Sequence, residues 1–346
     1  MPGHVLVGVV TAVGAEVTGF AVGDKVGVGW CAPTIAQPTR VLHNHAADTL
    51  AARIRNRVAL ALHPLPHATT PLTHGSLRFV AAPARSLVGS CGSCKQCDRG
   101  CQNYCKELAF TYNSKLPDGR ITFGGYSKHM VCDQKFVLHM PAGLPLDAAA
   151  PLLCAGITTY APMRTHGLDK PGLRLGVLGL GGLGSMAVRF GAAFGCEVTV
   201  ISTSPGKEAE ARALGASHFL LSSEPAAMAA AAGTLDGIVD TVSAKHDLAT
   251  YLALLDVEGK LVLVGVPPEA MEVHAFALIG GGKAVIGSLI GGIAMTQEML
   301  NYAAEKNIVS TIEKVPMSYV NDAFARLSKN DVKGRFVIDM STLKDE

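Results

Sequence analysis

A buried strand that ends in a glycine turn and leads directly into a helix is the feature that most constrains this chain. Residues 173–178 are almost entirely apolar, and the residues after the turn place apolar side chains at helical spacing. The turn fits G-x-G-x-x-G, the spacing that seats a pyrophosphate on the N-terminus of the next helix. The predicted cofactor-binding residues of this turn are Gly179, Leu180, Gly181, Gly182, Leu183 and Gly184.

A second apolar strand, 197–201, follows that helix, and this context favours a dinucleotide-binding domain over an ordinary glycine turn. The end of the second strand indicates which dinucleotide binds. An acidic residue there would bind the ribose 2′-hydroxyl of NAD, but this chain has Ser202, Thr203, Ser204 and Lys207 and no carboxylate. Hydroxyls and a cation suit a 2′-phosphate, so we predict NADP(H). An ordinary polar turn is the alternative.

Composition excludes several classes of protein. With 346 residues the chain is long enough for two domains. A formal net charge of +2 and 5% aromatic residues argue against a nucleic acid partner. The apolar stretch 277–294 is rich in glycine and interrupted by Lys283, so we predict no membrane span. Nine cysteines without a secretory signal indicate reduced thiols or metal ligands and a cytoplasmic protein.

Four cysteines have the spacing of a metal site. Cys91, Cys94, Cys97 and Cys105 form C-x2-C-x2-C-x7-C, and four thiolates suit a closed, structural tetrahedral zinc. Replacing Cys105 by Cys101 gives C-x2-C-x2-C-x3-C, the iron–sulfur run of small ferredoxins. That run carries a proline where this chain has glutamine, and no second cysteine set is present. Zinc is favoured, while an iron–sulfur cluster and unligated thiols remain alternatives.

The stretch 32–86 differs in character from the rest of the chain. It is rich in proline, histidine and arginine, its one acidic residue is Asp48, and it has no sustained periodicity. We predict a disordered insertion. Beyond residue 173, predicted strands alternate with predicted helices, which indicates a parallel sheet in an α/β protein.

Taken together, these segments resemble the zinc-dependent medium-chain dehydrogenases, most closely the plant cinnamyl alcohol dehydrogenase branch. The resemblance covers nearly everything outside 32–86. It rests on the glycine turn, on the serine-rich end of the second strand, and on the following motifs: Pro-Gly-His at 2–4, Val-Gly-Asp-Lys-Val at 22–26, Gly-Ser-Cys-Gly-Ser-Cys at 89–94, Asn-Tyr-Cys at 103–105, Gly-Gly-Tyr at 124–126, Leu-Leu-Cys-Ala-Gly-Ile-Thr at 152–158 and Asp-Thr-Val-Ser-Ala at 240–244.

The resemblance implies a fold and an assembly. A doubly wound Rossmann domain is expected over 153–292, and an incomplete, mostly β GroES-like catalytic domain with a structural zinc lobe over 1–152 and 293–346. The nicotinamide is expected between these domains. The family also implies a homodimer formed through the edge of the Rossmann sheet.

The resemblance further implies an NADPH-linked, reversible reduction of a cinnamyl-type aldehyde to its alcohol, with a catalytic zinc that polarises the carbonyl. The partner is therefore a small-molecule aldehyde or alcohol. By motif, Thr158 would contact the nicotinamide, and the rest of the cofactor groove would be lined by Thr241, Gly265, Ser288, Leu289 and Ile290. Leu289 would also border the substrate.

The chain departs from the family at the catalytic zinc. The resemblance maps two ligands onto His4 and Cys154, whereas the family's early cysteine would lie in a segment that is absent, and Val5 replaces a glutamate. Since catalytic zinc usually has three protein ligands, a weakened metal site and plain structural roles for His4 and Cys154 are both open. A metal-free NADPH reductase of a conjugated substrate and a catalytically silent NADP-binding protein are the functional alternatives. A truncated or mis-spliced gene model would explain both the start and the insertion.

Overall fold

A computed structural model describes residues 5–29, 57–61, 89–116, 119, 121–125, 129–329 and 331–343. The strands are β1 Leu6–Val13, β2 Lys25–Val28, β3 Arg57–Ala61, β4 Tyr112–Lys115, β5 Ile121–Phe123, β6 His129–Asp133, β7 Leu138–His139, β8 Arg174–Leu178, β9 Glu197–Ser202, β10 His218–Leu221, β11 Leu235–Asp240, β12 Leu255–Leu263, β13 Ala284–Gly287, β14 Ile312–Pro316 and β15 Arg335–Asp339. The α-helices are α1 Lys95–Asp98, α2 Leu146–Ala149, α3 Ala155–His166, α4 Gly182–Ala193, α5 Glu208–Leu214, α6 Pro225–Ala230, α7 Leu248–Leu252, α8 Ala275–Ile279, α9 Ile293–Glu305 and α10 Val320–Leu327.

The chain forms two compact units. The first consists of Met1–Cys154, Gly292–Ala304 and Thr311–Glu346, and the second of Ala155–Gly291 and Glu305–Ser310. The first unit contains a five-stranded antiparallel sheet in the order β6-β3-β1-β2-β7, together with the small pairs β4-β5 and β14-β15. Its core includes Val26 and Val28, both fully buried, with Phe136 and Met340 packed in the same cluster.

Strand β3 of this sheet lies inside the predicted insertion. Residues 57–61 pair with β1 through Val9↔Ala61 and with β6 through Leu60↔Met130, both antiparallel. The prediction of disorder is therefore wrong for these five residues, and the remainder of 32–86 lies outside the described residues. The sequence offers one compact apolar run there, Val58 to Leu62. A short apolar run does not by itself identify a strand, and the partners of this strand lie far away in the sequence.

The second unit is built on a six-stranded parallel sheet in the order β10-β9-β8-β11-β12-β13. Counted from β8 as the first strand, this order is 3-2-1-4-5-6, the arrangement of dinucleotide-binding sheets. Its central strands are apolar on both faces, and Leu175, Val177, Ile238, Val239 and Leu261 have no exposed surface. The α/β class with a Rossmann sheet is confirmed.

An arginine ties three neighbouring strands together at one point. The Arg174 guanidinium donates from Nε to Asp236 Oδ2 at 3.2 Å and from Nη2 to Asp256 Oδ2 at 2.9 Å. Its backbone N–H also donates to Asp236 Oδ2 at 2.8 Å. Since Arg174 begins β8, Asp236 lies in β11 and Asp256 in β12, this network fixes the relative position of the strands that carry the cofactor turn.

Two stretches of the chain combine short elements. Between Leu146 and His166 the chain does not form one helix: α2 and a 3-10 turn at Ala150–Leu153 are followed by Cys154 at φ −128° and ψ −73°, after which α3 begins. Before them, a 3-10 turn, Gln134–Phe136, is followed by the short β7. Among the helices of the described residues, none has the length and apolar character needed to cross a membrane.

Candidate functional site

The glycine turn after β8 has the shape that a dinucleotide needs. Gly179 adopts φ +87°, a left-handed conformation that favours glycine. A Cβ on Gly184 would overlap the carbonyl oxygen of Gly179, so the third glycine allows helix α4 to approach the end of β8. Gly181 precedes α4 as its N-cap, and a Cβ built there meets no protein atom within 4 Å. An open backbone at a helix N-terminus fits a pyrophosphate.

The loop after β11 supports this turn from the neighbouring strand. Thr241 Oγ1 donates to the carbonyl oxygen of Leu178 at 2.9 Å, so its hydroxyl holds the end of β8. A Cβ on Gly179 would lie 3.1 Å from Thr241 Oγ1 and from Val242 Cγ2. Gly265, predicted to line the groove, packs against the Val242 carbonyl so closely that a side chain would overlap it. The structure therefore brings Thr241 and Gly265 next to the glycine turn.

Sequence reasoning missed a buried acid–histidine pair in this loop. Asp240 is 1% exposed at the end of β11, and its Oδ2 lies 2.8 Å from His246 Nε2. Burial raises the pKa of the Asp240 carboxyl, while hydrogen bonds from the Val242 N–H and from His246 oppose that rise. A buried aspartate at the end of a strand whose sequence is otherwise apolar was the available signal.

The end of β9 presents hydroxyls and a lysine to solvent. The Ser204 N–H donates to Ser202 Oγ at 3.2 Å, which shapes a short turn through Thr203. Lys207 Nζ lies 2.8 Å from Glu210 Oε2, and 42% of the lysine side chain is exposed. The donor set is therefore accessible and includes a cation, which fits a phosphate monoester better than a ribose hydroxyl.

The remaining predicted groove residues lie on α3 and after β13. Thr158 is buried on α3. The Ser288 N–H donates to the Leu263 carbonyl at 3.0 Å, which continues the β12–β13 pairing, and Leu289 follows it. Ile290 is buried with φ +39°, an unusual conformation for a β-branched residue. The next residue, Gly291, packs against α3, where a Cβ would lie 2.7 Å from the Ile157 side chain.

Four cysteine sulfurs converge in the first unit. The Sγ atoms of Cys91, Cys94, Cys97 and Cys105 all lie within 4.8 Å of one another. The Cys94–Cys97 and Cys91–Cys105 distances are 3.6 Å, Cys94–Cys105 is 3.8 Å and Cys91–Cys97 is 4.0 Å. Bonds of about 2.3 Å in a tetrahedron place sulfur atoms about 3.8 Å apart, so the arrangement fits tetrahedral zinc.

The same geometry excludes Cys101 from the group. Its Sγ donates instead to the Arg99 carbonyl oxygen at 3.7 Å, after Gly100 turns the chain with φ +74°. The iron–sulfur arrangement, which needs Cys101 in place of Cys105, is therefore not the one that the fold assembles.

The thiol pKa values differ within the four-cysteine group. The Ser93 N–H lowers the pKa of Cys91 to about 6, and burial raises the pKa of Cys105 to about 12.

The two predicted catalytic-zinc ligands are not brought together by the described part of the chain. His4 lies outside the described residues. Cys154 is half-buried at the break before α3, where burial raises the pKa of its thiol and the Arg335 charge opposes the rise. Among the described residues, Cys154 does not belong to any group of three or more metal-ligating side chains.

Comparison with known proteins identifies the family. Residues 182–305 match the family described as "Zinc-binding dehydrogenase". A probable mannitol dehydrogenase of Mesembryanthemum crystallinum is 47% identical over 348 residues, covering 100% of this chain and 81% of that protein. The chain belongs to the zinc-dependent medium-chain alcohol dehydrogenases. Cinnamyl alcohol dehydrogenase 7 of Arabidopsis thaliana is 46% identical, with 99% and 80% covered.

Solved structures agree with the fold of this dehydrogenase. A cinnamyl alcohol dehydrogenase of Sorghum bicolor superposes with a TM-score of 0.79 at 44% identity, covering 98% of this chain and 81% of that chain. The enzyme of Helicobacter pylori, complexed with NADP(H), gives a TM-score of 0.75 at 31% identity, with 99% and 83% covered. The dehydrogenase is thus an oxidoreductase of the alcohol dehydrogenase kind. Its relatives act on different substrates at nearly equal identity, so identity does not select the substrate.

Proposed function

We propose that this dehydrogenase catalyses the NADPH-linked, reversible reduction of cinnamyl-type aldehydes to alcohols. One observation carries the proposal: the open glycine turn after β8 stands beside a strand, β9, whose end offers Ser202, Ser204 and Lys207 and no carboxylate. A pyrophosphate site together with a cationic, hydroxyl-rich ribose site selects NADP(H). The sorghum and Arabidopsis relatives support the aldehyde class.

The residues of the second unit bind and orient the cofactor. The N-terminus of α4 and the backbone at Gly181 would hold the pyrophosphate, and Lys207 would exchange its contact with Glu210 for the 2′-phosphate. Thr158, Thr241 and the segment 288–290 would line the nicotinamide end. NADPH, when bound, supplies the hydride that reduces the carbonyl carbon. Positioning of the cofactor, by a turn whose backbone is fixed before binding, is the contribution of this unit.

We propose a structural zinc on Cys91, Cys94, Cys97 and Cys105. Their sulfur–sulfur distances support it, and the Cys91 N–H donates to Cys105 Sγ at 3.4 Å, a contact that stabilises a thiolate. Such a closed four-sulfur site has no open position for a substrate, so its role is to order the lobe around it.

A metal-free reductase is the second candidate. Its support is a relative named vomilenine reductase, from Rauvolfia serpentina, which is 46% identical over 346 residues. In this reaction hydride adds to a conjugated double bond or iminium without a Lewis acid. Dependence of turnover on added zinc separates the two candidates.

A homodimer through the edge of the six-stranded sheet is also proposed. The sheet ends at β13, and neighbouring segments expose large apolar side chains: Val257 is 73%, Phe276 69% and Ile279 72% exposed. Apolar surface of this kind favours burial against a second copy. Sedimentation velocity on the purified chain tests this assembly.

The test of the cofactor assignment compares Lys207→Ala with Lys306→Ala. Lys306 is the matched control, since it is also exposed and ion-paired, with Nζ 2.8 Å from Glu305 Oε1. A charge-assisted hydrogen bond contributes about 1.5–3 kcal/mol, so Lys207→Ala should weaken NADPH binding about 10–100-fold while NADH binding stays unchanged. Titration of nucleotide fluorescence measures both affinities.

Turnover is measured as NADPH oxidation with cinnamaldehyde, a monoterpene aldehyde and a hexose, with and without added zinc. Zinc-dependent oxidation with cinnamaldehyde supports the proposal. Zinc-independent oxidation of a conjugated substrate supports the reductase instead. A Lys207→Ala protein that binds NADPH as tightly as the wild type would refute the cofactor site.

A further inference from the structure

The contacts of His246 fix where its protons are. Nδ1 lies 2.8 Å from the carbonyl oxygen of Ala244. A carbonyl oxygen only accepts hydrogen bonds, so Nδ1 must carry the proton in this contact. Nε2 lies 2.8 Å from Asp240 Oδ2. With Nδ1 already protonated, that second contact needs one more proton, either on the imidazole or on the carboxyl.

Both protonation states leave the pair with the same overall charge. An imidazolium facing a carboxylate and a neutral imidazole facing a carboxylic acid differ only in the position of one proton along a 2.8 Å contact. Without that proton, the nitrogen lone pair would face a buried carboxylate that is 1% exposed. Because such a lone-pair contact is repulsive in a buried site, the pair retains its proton. Burial also raises the pKa of the Asp240 carboxyl.

The pair closes a short turn at the end of β11. The other carboxylate oxygen, Asp240 Oδ1, accepts the Val242 N–H at 3.0 Å. The backbone oxygen of Asp240 accepts the N–H groups of Val264 and Gly265, each at 3.0 Å. Asp240 therefore connects the end of β11 to the next strand and to both ends of the turn 241–246.

This turn carries the residues that contact the glycine turn. Thr241 Oγ1 holds the end of β8, and Val242 lies against Gly179 and Gly265. The ring of Tyr251 packs edge-on against His246, with centroids 5.6 Å apart. A change at His246 would thus reach the pyrophosphate turn through one residue, Asp240, and the backbone of Val242.

We propose that His246 is a positioning residue for the dinucleotide: the proton that it shares with Asp240 holds the turn 241–246 in the shape that completes the cofactor groove. The proposal rests on the proposed function, since it needs NADP(H) at the glycine turn. Its place in the sequence, six residues after Asp240 and outside the glycine motif, explains why motif reading does not find it.

The experiment measures NADPH affinity for the wild type, His246→Leu and His246→Gln, with His218→Leu as the control at an exposed histidine of β10. Leucine removes the hydrogen bonds of the imidazole, and glutamine supplies amide N–H donors without a titratable proton. Loss of a hydrogen bond to a buried carboxyl predicts about tenfold or greater weakening for His246→Leu. His246→Gln should bind NADPH with an affinity within about threefold of the wild type. The control His218→Leu should bind NADPH as tightly as the wild type.

A second readout separates positioning from a general loss of stability. Nitrogen NMR of the wild type, recorded between pH 6 and pH 9, should show the proton of the neutral ring on His246 Nδ1, as its contact with the Ala244 carbonyl requires. The other titratable or charged groups near the pair are Tyr251, which faces the ring, Asp247, whose carboxylate caps α7, and Lys245, which pairs with Glu269. The Thr250 hydroxyl lowers the pKa of Asp247, so that carboxylate does not titrate in this range.

The outcomes distinguish this proposal from the proposed function. Wild-type protein that fails to bind NADPH refutes the cofactor assignment itself. Two results would overturn only the role of His246, provided that the wild type binds NADPH. One is an NADPH affinity of His246→Leu equal to that of the wild type, and the other is an equally weakened affinity in His246→Leu and His246→Gln. An Nδ1 that carries no proton also overturns it. Weak binding in His246→Leu with rescue in His246→Gln supports the proposal.

Discussion

Two glycines of the G-x-G-x-x-G motif should respond differently to substitution by alanine. At Gly184 an added Cβ would overlap the carbonyl oxygen of Gly179, well inside the 3.0 Å that real Cβ contacts keep. The overlapping atom belongs to the backbone, so it cannot rotate away as a flexible side chain could. At Gly181 the same atom meets no protein atom within 4 Å, and the backbone φ of −104° is open to alanine. Gly184→Ala therefore tests protein packing, and Gly181→Ala tests the phosphate site.

The expected magnitudes follow from two opposing terms. Alanine within a helix is favoured over glycine by about 1 kcal/mol, whereas overpacking against fixed backbone costs about 1–3 kcal/mol and sometimes more. Gly184→Ala should thus destabilise the protein by up to about 2 kcal/mol, which lowers the melting temperature by about 4–8 °C. Gly181→Ala should melt within about 1 °C of the wild type, because the alanine fits, yet bind NADPH about tenfold or more weakly.

Calorimetry and nucleotide fluorescence titration measure the two quantities on the same preparations. We expect the two variants to differ in what they lose. Gly184→Ala should lose stability, whereas Gly181→Ala should lose NADPH affinity without a change in stability. A Gly184→Ala protein that melts like the wild type would refute the packing argument. A Gly181→Ala protein with unchanged NADPH affinity would show that no phosphate approaches this backbone.

Two further predictions concern the zinc lobe and the strand network. Cys105→Ser should remove most of the bound zinc measured by elemental analysis, while Cys101→Ser should keep it, because only Cys105 belongs to the four-sulfur group; equal zinc contents would contradict this. The Arg174 guanidinium lowers the pKa of the Asp236 carboxyl, so the pair stabilises the fold above the ordinary aspartate pKa of about 3.9, and this stability is lost as pH falls through the lowered value. Asp236→Asn should therefore be less stable than the wild type by up to about 1 kcal/mol near pH 6, because the ion pair is partly exposed. Urea unfolding should show this difference in stability shrinking toward pH 2, and a difference that stays constant would contradict the linkage.

The parts of the fold and site that the sequence predicts are those with local causes. The glycine turn was predictable because Gly179 and Gly184 serve conformation and close packing within a few residues of one another. Cysteine spacing alone allowed both Cys101 and Cys105, and Cys105 was favoured only because the ferredoxin run's proline and a second cysteine set are missing. The structure adds that the chain turns at the left-handed Gly100, and the Cys101 thiol donates to a backbone carbonyl instead.

Features set by distant contacts escaped prediction. The pairing of β3 with β1 and β6 depends on residues far away in the chain, and its five residues carry no distinctive pattern. The left-handed Ile290 contradicts the local preference of a β-branched side chain, so packing of Gly291 against α3 is needed to explain it. The assignments of His4 and Cys154 to a catalytic zinc stay predictions.

The cysteine group lies on the connection between β3 and β6, two strands that are hydrogen-bonded neighbours. A metal held by residues 91 and 105 would remove only that short span from a connection that runs from 62 to 128. Because the entropy of closing a loop depends on the logarithm of its length, this shortening changes the cost of pairing the strands by only about 0.2 kcal/mol. Zinc binding by the lobe would therefore have little effect on the entropy of closing the sheet.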